Sequence, residues 1–208
     1  MTRLVLMRHG ESEGNRDRVF TLTPEVPITD VGRAQVRAAA EWIRSRWTPR
    51  RVVASPYRRA RQSAAIVGEV LGLPVAVEPD LRERSYGTLA GRPYADALGS
   101  PGYDPAVWWS WCPPGGETLE AVAVRAGAVL DRIAAGDGDA VVVSHGAVMR
   151  ALWRHMTGSW EDARVARNAG LILAEWDGVR YARVMDLAEA VDGVPNSPVL
   201  ERARDGVE

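Results

Sequence analysis

Leu4-Val5-Leu6-Met7-Arg8-His9-Gly10 near the start of the chain and Ala140-Val141-Val142-Val143-Ser144-His145-Gly146 far along it share one construction. Each is a short apolar run that stops at a histidine followed by glycine. An unbroken apolar run of this length reads as a strand covered on both faces, as in a parallel sheet packed between helices. Val52-Val53-Ala54, closed by Ser55-Pro56, is a second short strand, and Pro74-Val75-Ala76-Val77 is a third strand candidate.

Between these runs the spacing turns helical. Thr29 is placed to cap a helix reaching about Trp47, with Val31, Ala34, Ala38, Trp42 and Ile43 on its apolar side. A second helix runs from near Arg58 to Leu71, turns Ile66, Val67, Val70 and Leu71 inward, and stops at Gly72. A third, from Glu117 to about Ala135, carries Leu119, Val122, Ala126, Val129, Leu130 and Ile133 at helical spacing, and Gly136-Asp137-Gly138 ends it. A fourth passes through Val148, Leu152 and Met156 to Gly158. Leu171 to Trp176 and Arg180 to Val184 are set to pair as a hairpin across Asp177-Gly178. Alternating strands and helices predict an α/β fold, a three-layer sandwich whose mostly parallel sheet is flanked by helices. One domain over 1–185 is expected, with a turn-rich excursion at about 91–116 and a charged tail over 186–208.

Composition narrows the chemistry. A net charge of -1 recruits neither nucleic acid nor an anionic membrane. No apolar run is long enough for a bilayer or shaped as a signal peptide, so the expected location is cytoplasmic. Scattered tryptophans leave room for a homodimer interface. The chain contains no lysine, so a P-loop is excluded and any phosphate site must be built from Arg, His and backbone N–H groups. Cys112 stands alone, which rules out an internal disulfide, and Thr118 occupies the place where a cysteine phosphatase would carry arginine. No histidine pair has helical metal-ligand spacing, and no metal or cofactor is expected. His155 reads as an ordinary helix-face residue.

Parallel α/β sheets bind ligands beyond the carboxyl ends of their strands, beside helix N-termini. One edge would therefore gather Arg8, His9 and Asn15 from the first strand, Arg58, Arg59 and Arg61 after the second, and His145 with Gly146 after the fourth. Two histidines among several arginines suit an anion the size of phosphate. Neighbouring cations disfavour imidazolium, so His9 is expected neutral, with a lone pair free to attack phosphorus. Gly10 is expected to clear the phosphoryl group's approach. Arg8, Arg59 and His145 can stabilise the charge on transferring oxygens without a metal. Glu83, after the third strand, is the candidate acid for the leaving oxygen.

The segments LVLMRHGESEGN, VPITDVGRAQ, SPYRRARQSA, LRERSYGTLAG, PGGETL and VVVSHGAVMRAL, in this order from Leu4 to about Asn168, resemble the histidine phosphatase superfamily, which includes cofactor-dependent phosphoglycerate mutase. The resemblance implies a phosphoglycerate mutase-like fold, His9 as the phosphorylated nucleophile, and Arg8, Arg59 and His145 as the rest of the phosphate pocket. It singles out Arg59 from the arginines around it, adds Asn15 as a phosphate contact and makes Glu83 the proton donor. Ser12 is read either as a further phosphate contact or as a loop residue.

The resulting expectation is a phosphomonoester phosphatase acting through phosphohistidine on a small phosphorylated metabolite. A cofactor-dependent phosphoglycerate mutase is the first alternative, because LRERSYGTLAG is close to the mutase form of that segment. Against it stand the short excursion, the missing lysine and PGGETL, which is closer to phosphatases. A non-catalytic phospho-ligand-binding protein is the second alternative. The Trp108-Trp109-Ser110-Trp111 cluster fits either a lid over the leaving group or packing that fastens the excursion.

Overall fold

Thr2–Arg8 (β1) forms the strand expected at the start of the chain, and its last five residues are buried. The computed structural model describes residues 1–161, 163 and 166–187. After β1 come a short turn of helix, Glu13–Arg16 (α1), then Asp30–Arg44 (α2), Arg51–Ala54 (β2), Arg58–Leu71 (α3) and Val75–Val77 (β3). Leu119–Ala134 (α4), Ala140–Ser144 (β4), Gly146–Thr157 (α5) and the strands Leu171–Trp176 (β5) and Tyr181–Asp186 (β6) follow. The second strand of the hairpin thus runs two residues past the expected Val184. Residues 188–208, most of the expected tail, lie outside the described residues.

The six strands form one sheet in the order β3-β2-β4-β1-β5-β6. The first four are mutually parallel, and β5 and β6 are antiparallel. The two faces follow from the period of two along a strand. Leu4, Leu6, Ala140, Val142, Ile172 and Ala174 face α4 and α5. Val5, Met7, Val52, Val141, Val143 and Leu173 face α2 and α3. This is the expected three-layer sandwich. Every residue of β4 is buried, as its unbroken apolar run requires.

In α4 all six expected core positions are buried, whereas in α2 the face is displaced. Val31 is 46% exposed and Ala34 is exposed; the buried positions are Gly32, Gln35, Val36, Ala39, Ala40 and Ile43. A stripe containing Gly and Gln gives little apolar signal. It faces inward because the first turn of α2 is pressed against the loop after β1. Gly10 and Gly32 make that contact: a Cβ on Gly10 would lie 2.3 Å from the Gly32 carbonyl oxygen. The sequence expectation for Gly10 is thereby corrected, since the space it spares belongs to α2 and not to an approaching ligand.

Candidate active site

β1 and β4 are neighbours in register, with Arg8 opposite Ser144, so the residues after them emerge side by side. The rings of His9 and His145 pack edge to face with centroids 5.2 Å apart. Arg59, in the first turn of α3, reaches the same point, and its Nε–H donates to His9 Nε2 at 3.2 Å. Glu83 is brought in by the segment after β3. Its carboxylate accepts the Arg84 N–H at 2.9 Å and the Ala147 N–H at the start of α5. Gly146 is the first residue of α5, directly after His145. Arg8 lies on the same edge, with Nη1 donating to the Ala166 carbonyl at 2.8 Å.

The backbone of His9 is held from four sides. Its N–H donates to Ser144 and its carbonyl accepts from Ala169, at 2.9 and 3.1 Å. Asn168 Nδ2 donates to the same carbonyl, and the next N–H, of Gly10, donates to Ser63 Oγ. Ala169 is in the left-handed region at φ 55°, where alanine is strained, and these bonds hold it there. His9 Nδ1 lies 2.7 Å from the Gly10 carbonyl oxygen. A carbonyl can only accept, so Nδ1 carries the proton and Nε2 keeps its lone pair.

The same reasoning orients His145. Its Nε2 is 2.6 Å from Ser55 Oγ, and that oxygen also accepts the Tyr57 N–H. His145 Nε2 is thus the one acceptor, among the described residues, for the serine proton. The imidazole proton is then on Nδ1, which is buried with no partner. Both histidines are held well below the usual imidazole range, by burial first and by Arg59 next. Burial comes ahead of the arginines, which were the one cause read from the sequence. Burial raises the Glu83 carboxyl above its usual range and outweighs the opposing pull of Arg59, the Arg84 N–H and Arg8.

Among the described residues, six side-chain nitrogens are buried without a hydrogen-bond partner; Arg8 Nε, Arg59 Nη1, His145 Nδ1 and Arg150 Nε are four of them. A polar atom buried unpaired costs about 1–3 kcal/mol, so a cluster of them marks a place made for a ligand.

Ser12 and Asn15 lie beside His9 and are engaged with each other. Ser12 caps α1 by accepting the Asn15 N–H, and Asn15 Oδ1 accepts from Ser12 and from Asn168 Nδ2. Asn15 Nδ2 donates to the Tyr94 hydroxyl at 3.2 Å. Arg58 and Arg61 stay at the periphery, where Arg58 bonds the Glu25 carbonyl and Arg61 lies near the Glu25 carboxylate. His155 is a packing residue: it covers Gly127 and bonds Asp131 at 2.9 Å. The tryptophans divide. Trp111 is buried with Phe20 and Leu89, Trp109 stacks on Trp160, and Trp108 lies over the Arg150 guanidinium at 4.3 Å.

Sequence reading had no role for Ser55, Tyr94, Asn168 or Arg150. Ser55 was within reach of the strand-end rule, since it follows Ala54 just as Ser144 follows its register partner Val143. Tyr94 and Asn168 carry no such signal, because both come from irregular segments.

Fold and site together define an α/β protein with buried, unpartnered arginine nitrogens around a neutral imidazole, an arrangement suited to a tetrahedral oxyanion. The signature of the histidine phosphatase superfamily (branch 1) matches residues 4–185, and the chain belongs to that family. It is 34% identical over 195 residues to a bifunctional protein of Mycobacterium tuberculosis, covering 90% of this chain and 48% of that one. The chain therefore spans about half the length of the curated relatives of this kind. It is 35% identical over 162 residues to the 2,3-bisphosphoglycerate-dependent phosphoglycerate mutase of a Methylobacterium species, covering 72% of this chain and 77% of the mutase. It is 32% identical over 168 residues to the glucosyl-3-phosphoglycerate phosphatase of Mycolicibacterium vanbaalenii, covering 75% and 74% of the two chains. A solved structure of mycobacterial glucosyl-3-phosphoglycerate phosphatase with VO3 matches at TM-score 0.79 and 28% identity, covering 89% of this chain and 98% of that one. No helix among the described residues is long and apolar enough to cross a membrane.

Proposed function

We propose that this protein is a metal-independent phosphatase that hydrolyses small phosphomonoesters through a phosphohistidine on His9. The observation that carries the reading is the set of unpartnered buried donors on Arg8, Arg59 and His145 around an imidazole whose Nε2 lone pair is free of protons. A phosphoryl group satisfies all of them at once.

In the first step Nε2 of His9 attacks phosphorus and the bond from phosphorus to the ester oxygen breaks. Glu83 supplies the proton that the leaving alkoxide needs, and the raised pKa from burial keeps that proton available. Arg8, Arg59 and the His145 Nδ1–H neutralise charge on the equatorial oxygens, the stabilisation that phosphoryl transfer mainly requires. In the second step water attacks the phosphohistidine, Glu83 takes a proton from that water, and inorganic phosphate and neutral His9 are released.

A mutase runs the same first step and hands the phosphoryl group to a second alcohol. The similarity to bisphosphoglycerate-dependent mutases supports that second reading. The short excursion at 91–116 favours hydrolysis because it leaves water access to the phosphohistidine, and the absence of the lysine that mutases usually place in that region counts against a mutase. The test is phosphate release from a panel of phosphorylated metabolites, wild type beside His9→Ala, with 3-phosphoglycerate interconversion followed in parallel. Release that vanishes in the variant, with an acid-labile phosphoenzyme in the wild type, is the expected outcome. Interconversion without release makes the protein a mutase, and silence in both assays removes the catalytic reading.

A further inference from the structure

Which end a side-chain amide presents is decided by its neighbours, and beside His9 two backbone groups decide it for a pair of asparagines. The Ser12 N–H can only donate, so the Asn15 atom 3.2 Å from it is Oδ1. The His9 carbonyl can only accept, so the Asn168 atom 3.3 Å from it is Nδ2. The two assignments agree where the side chains meet, with Asn168 Nδ2 donating to Asn15 Oδ1 at 2.9 Å. Both asparagines are buried.

Asn15 Oδ1 thus takes protons from the Ser12 N–H, the Ser12 hydroxyl and Asn168, and the Nδ2 of Asn15 is turned the other way. There one hydrogen goes to the Tyr94 hydroxyl at 3.2 Å, and the second has no acceptor among the described residues. The Tyr94 hydroxyl lies in the field of both Arg8 and Arg59, so this spare N–H is on the side of the phosphate pocket. Of the groups that hold Oδ1, Ser12 belongs with Asn15 to the cap of α1 and moves with it. Asn168 alone comes from elsewhere, the segment that leads into β5. Its other contact is the weaker one: the His9 carbonyl already accepts the Ala169 N–H at 3.1 Å, and Asn168 reaches it at 3.3 Å. The distances favour Asn15 as the group through which Asn168 acts.

We propose that Asn168 is a positioning residue for the phosphoryl group, holding Asn15 with an N–H turned toward the bound phosphate. The proposal rests on the phosphate-pocket reading above and deepens it. The chemistry of the amide shows why such a lock is needed. Its two ends are nearly equal in size and opposite in polarity, so a half-turn about the last side-chain bond exchanges donor for acceptor. With Nδ2 inward Asn15 donates to an anion; with Oδ1 inward it sets lone pairs against one. Asn168 can only donate through Nδ2, and a donor at that place is satisfied by the first orientation alone.

The experiment measures binding of inorganic phosphate by calorimetry to the wild type, Asn15→Ala, Asn168→Ala and the double variant. Asn15→Ala should weaken binding about tenfold or more, the size of a hydrogen bond to a charged acceptor. Asn168→Ala should weaken it about fivefold, yet cost less than about twofold once Asn15 is already alanine, because the two act as one unit. Nitrogen-15 spectra give a second readout that a merely structural asparagine would not move: phosphate should shift the Asn15 side-chain NH2 signals in the wild type and not in Asn168→Ala. Losses that multiply in the double variant, or unchanged affinity in Asn168→Ala, overturn the proposal. Ala169 is strained at φ 55°, so the series is repeated with Ala169→Gly, for which that backbone carries no strain. A loss that glycine restores is a loss of loop shape and also overturns the proposal. A wild type that binds no phosphate sinks the pocket reading and this proposal with it, whereas tight binding with multiplying losses sinks this proposal alone.

Discussion

Replacing Ser55 by alanine tests how the second histidine is held. Ser55 and His145 both have no exposed surface, and their 2.6 Å contact is the one hydrogen bond His145 Nε2 makes among the described residues. The serine proton has no other acceptor there, so the contact fixes the proton of the neutral ring on Nδ1. Without it the ring is free to move its proton to Nε2, and Nδ1 becomes an acceptor facing an anionic phosphoryl group. A buried polar atom left unsatisfied costs about 1–3 kcal/mol. If that cost falls on the transition state, kcat/KM drops by about five- to 150-fold. Phosphate release from p-nitrophenyl phosphate measures the loss. Nitrogen-15 spectra of the imidazoles report the tautomer directly, a readout that a merely structural serine would not move. Unchanged tautomer together with kcat/KM within twofold of wild type would refute the reasoning.

Three further predictions come from other parts of the site. Glu83→Gln should lose little on p-nitrophenyl phosphate, whose leaving group needs no proton, and about 100-fold or more on an alkyl phosphate; equal losses on both esters would exclude Glu83 as the acid. His9 and His145 titrate below 6.5 in the folded protein, so from 6.5 downward the unfolded chain binds protons that the folded chain does not. Stability should then fall with falling pH, by about 1.4 kcal/mol per pH unit per histidine until the folded values are reached. The raised Glu83 pKa acts in the opposite sense and offsets part of the loss. Urea unfolding between pH 6.5 and 5 reads the slope, and a slope unchanged in a His145→Asn variant would contradict the assignment. Gly32→Ala should destabilise by about 3 kcal/mol, since the added Cβ would stand 2.2 Å from the Glu11 carbonyl oxygen. Helix propensity alone predicts about 1 kcal/mol of stabilisation for that change, so thermal unfolding decides between the two by sign.

What could be read from sequence and what could not divide along physical lines. The inner strands β1 and β4 were legible because burial on both faces demands unbroken apolar runs; β3, at the sheet edge, is mostly exposed and gave a weaker signal. Once the strands were placed, His9 and His145 followed, since a parallel sheet brings the residues after neighbouring strands together. Arg59 needed more: Arg58, Arg59 and Arg61 have the same chemistry, and only the turn of α3 sends the middle one inward, where it is 2% exposed. The burial of α2 was misread because its inner stripe is built for contact with a backbone loop. There Gly32 is chosen for lack of bulk and Gln35 for its carbonyl, which accepts the Glu11 N–H at 2.9 Å. Hydrophobic pattern is blind to both choices.

Protonation states were the least legible feature, and they connect fold to chemistry. The sequence places arginines near His9 and so suggests a neutral ring. In the structure burial does more than the arginines, and backbone carbonyl and serine oxygen choose the tautomers. The Gly10 carbonyl, which accepts from Nδ1 of His9, and the Ser55 hydroxyl, which donates to Nε2 of His145, give the two rings the same tautomer for opposite proposed tasks. In His9 the arrangement leaves the Nε2 lone pair unprotonated, as the proposed nucleophile requires. In His145 it leaves Nδ1–H as a donor, because Nε2 is the atom tied down. In the proposed reaction the two histidines are thus attacker and stabiliser according to which ring nitrogen the surrounding chain occupies, and no count of residue types contains that information.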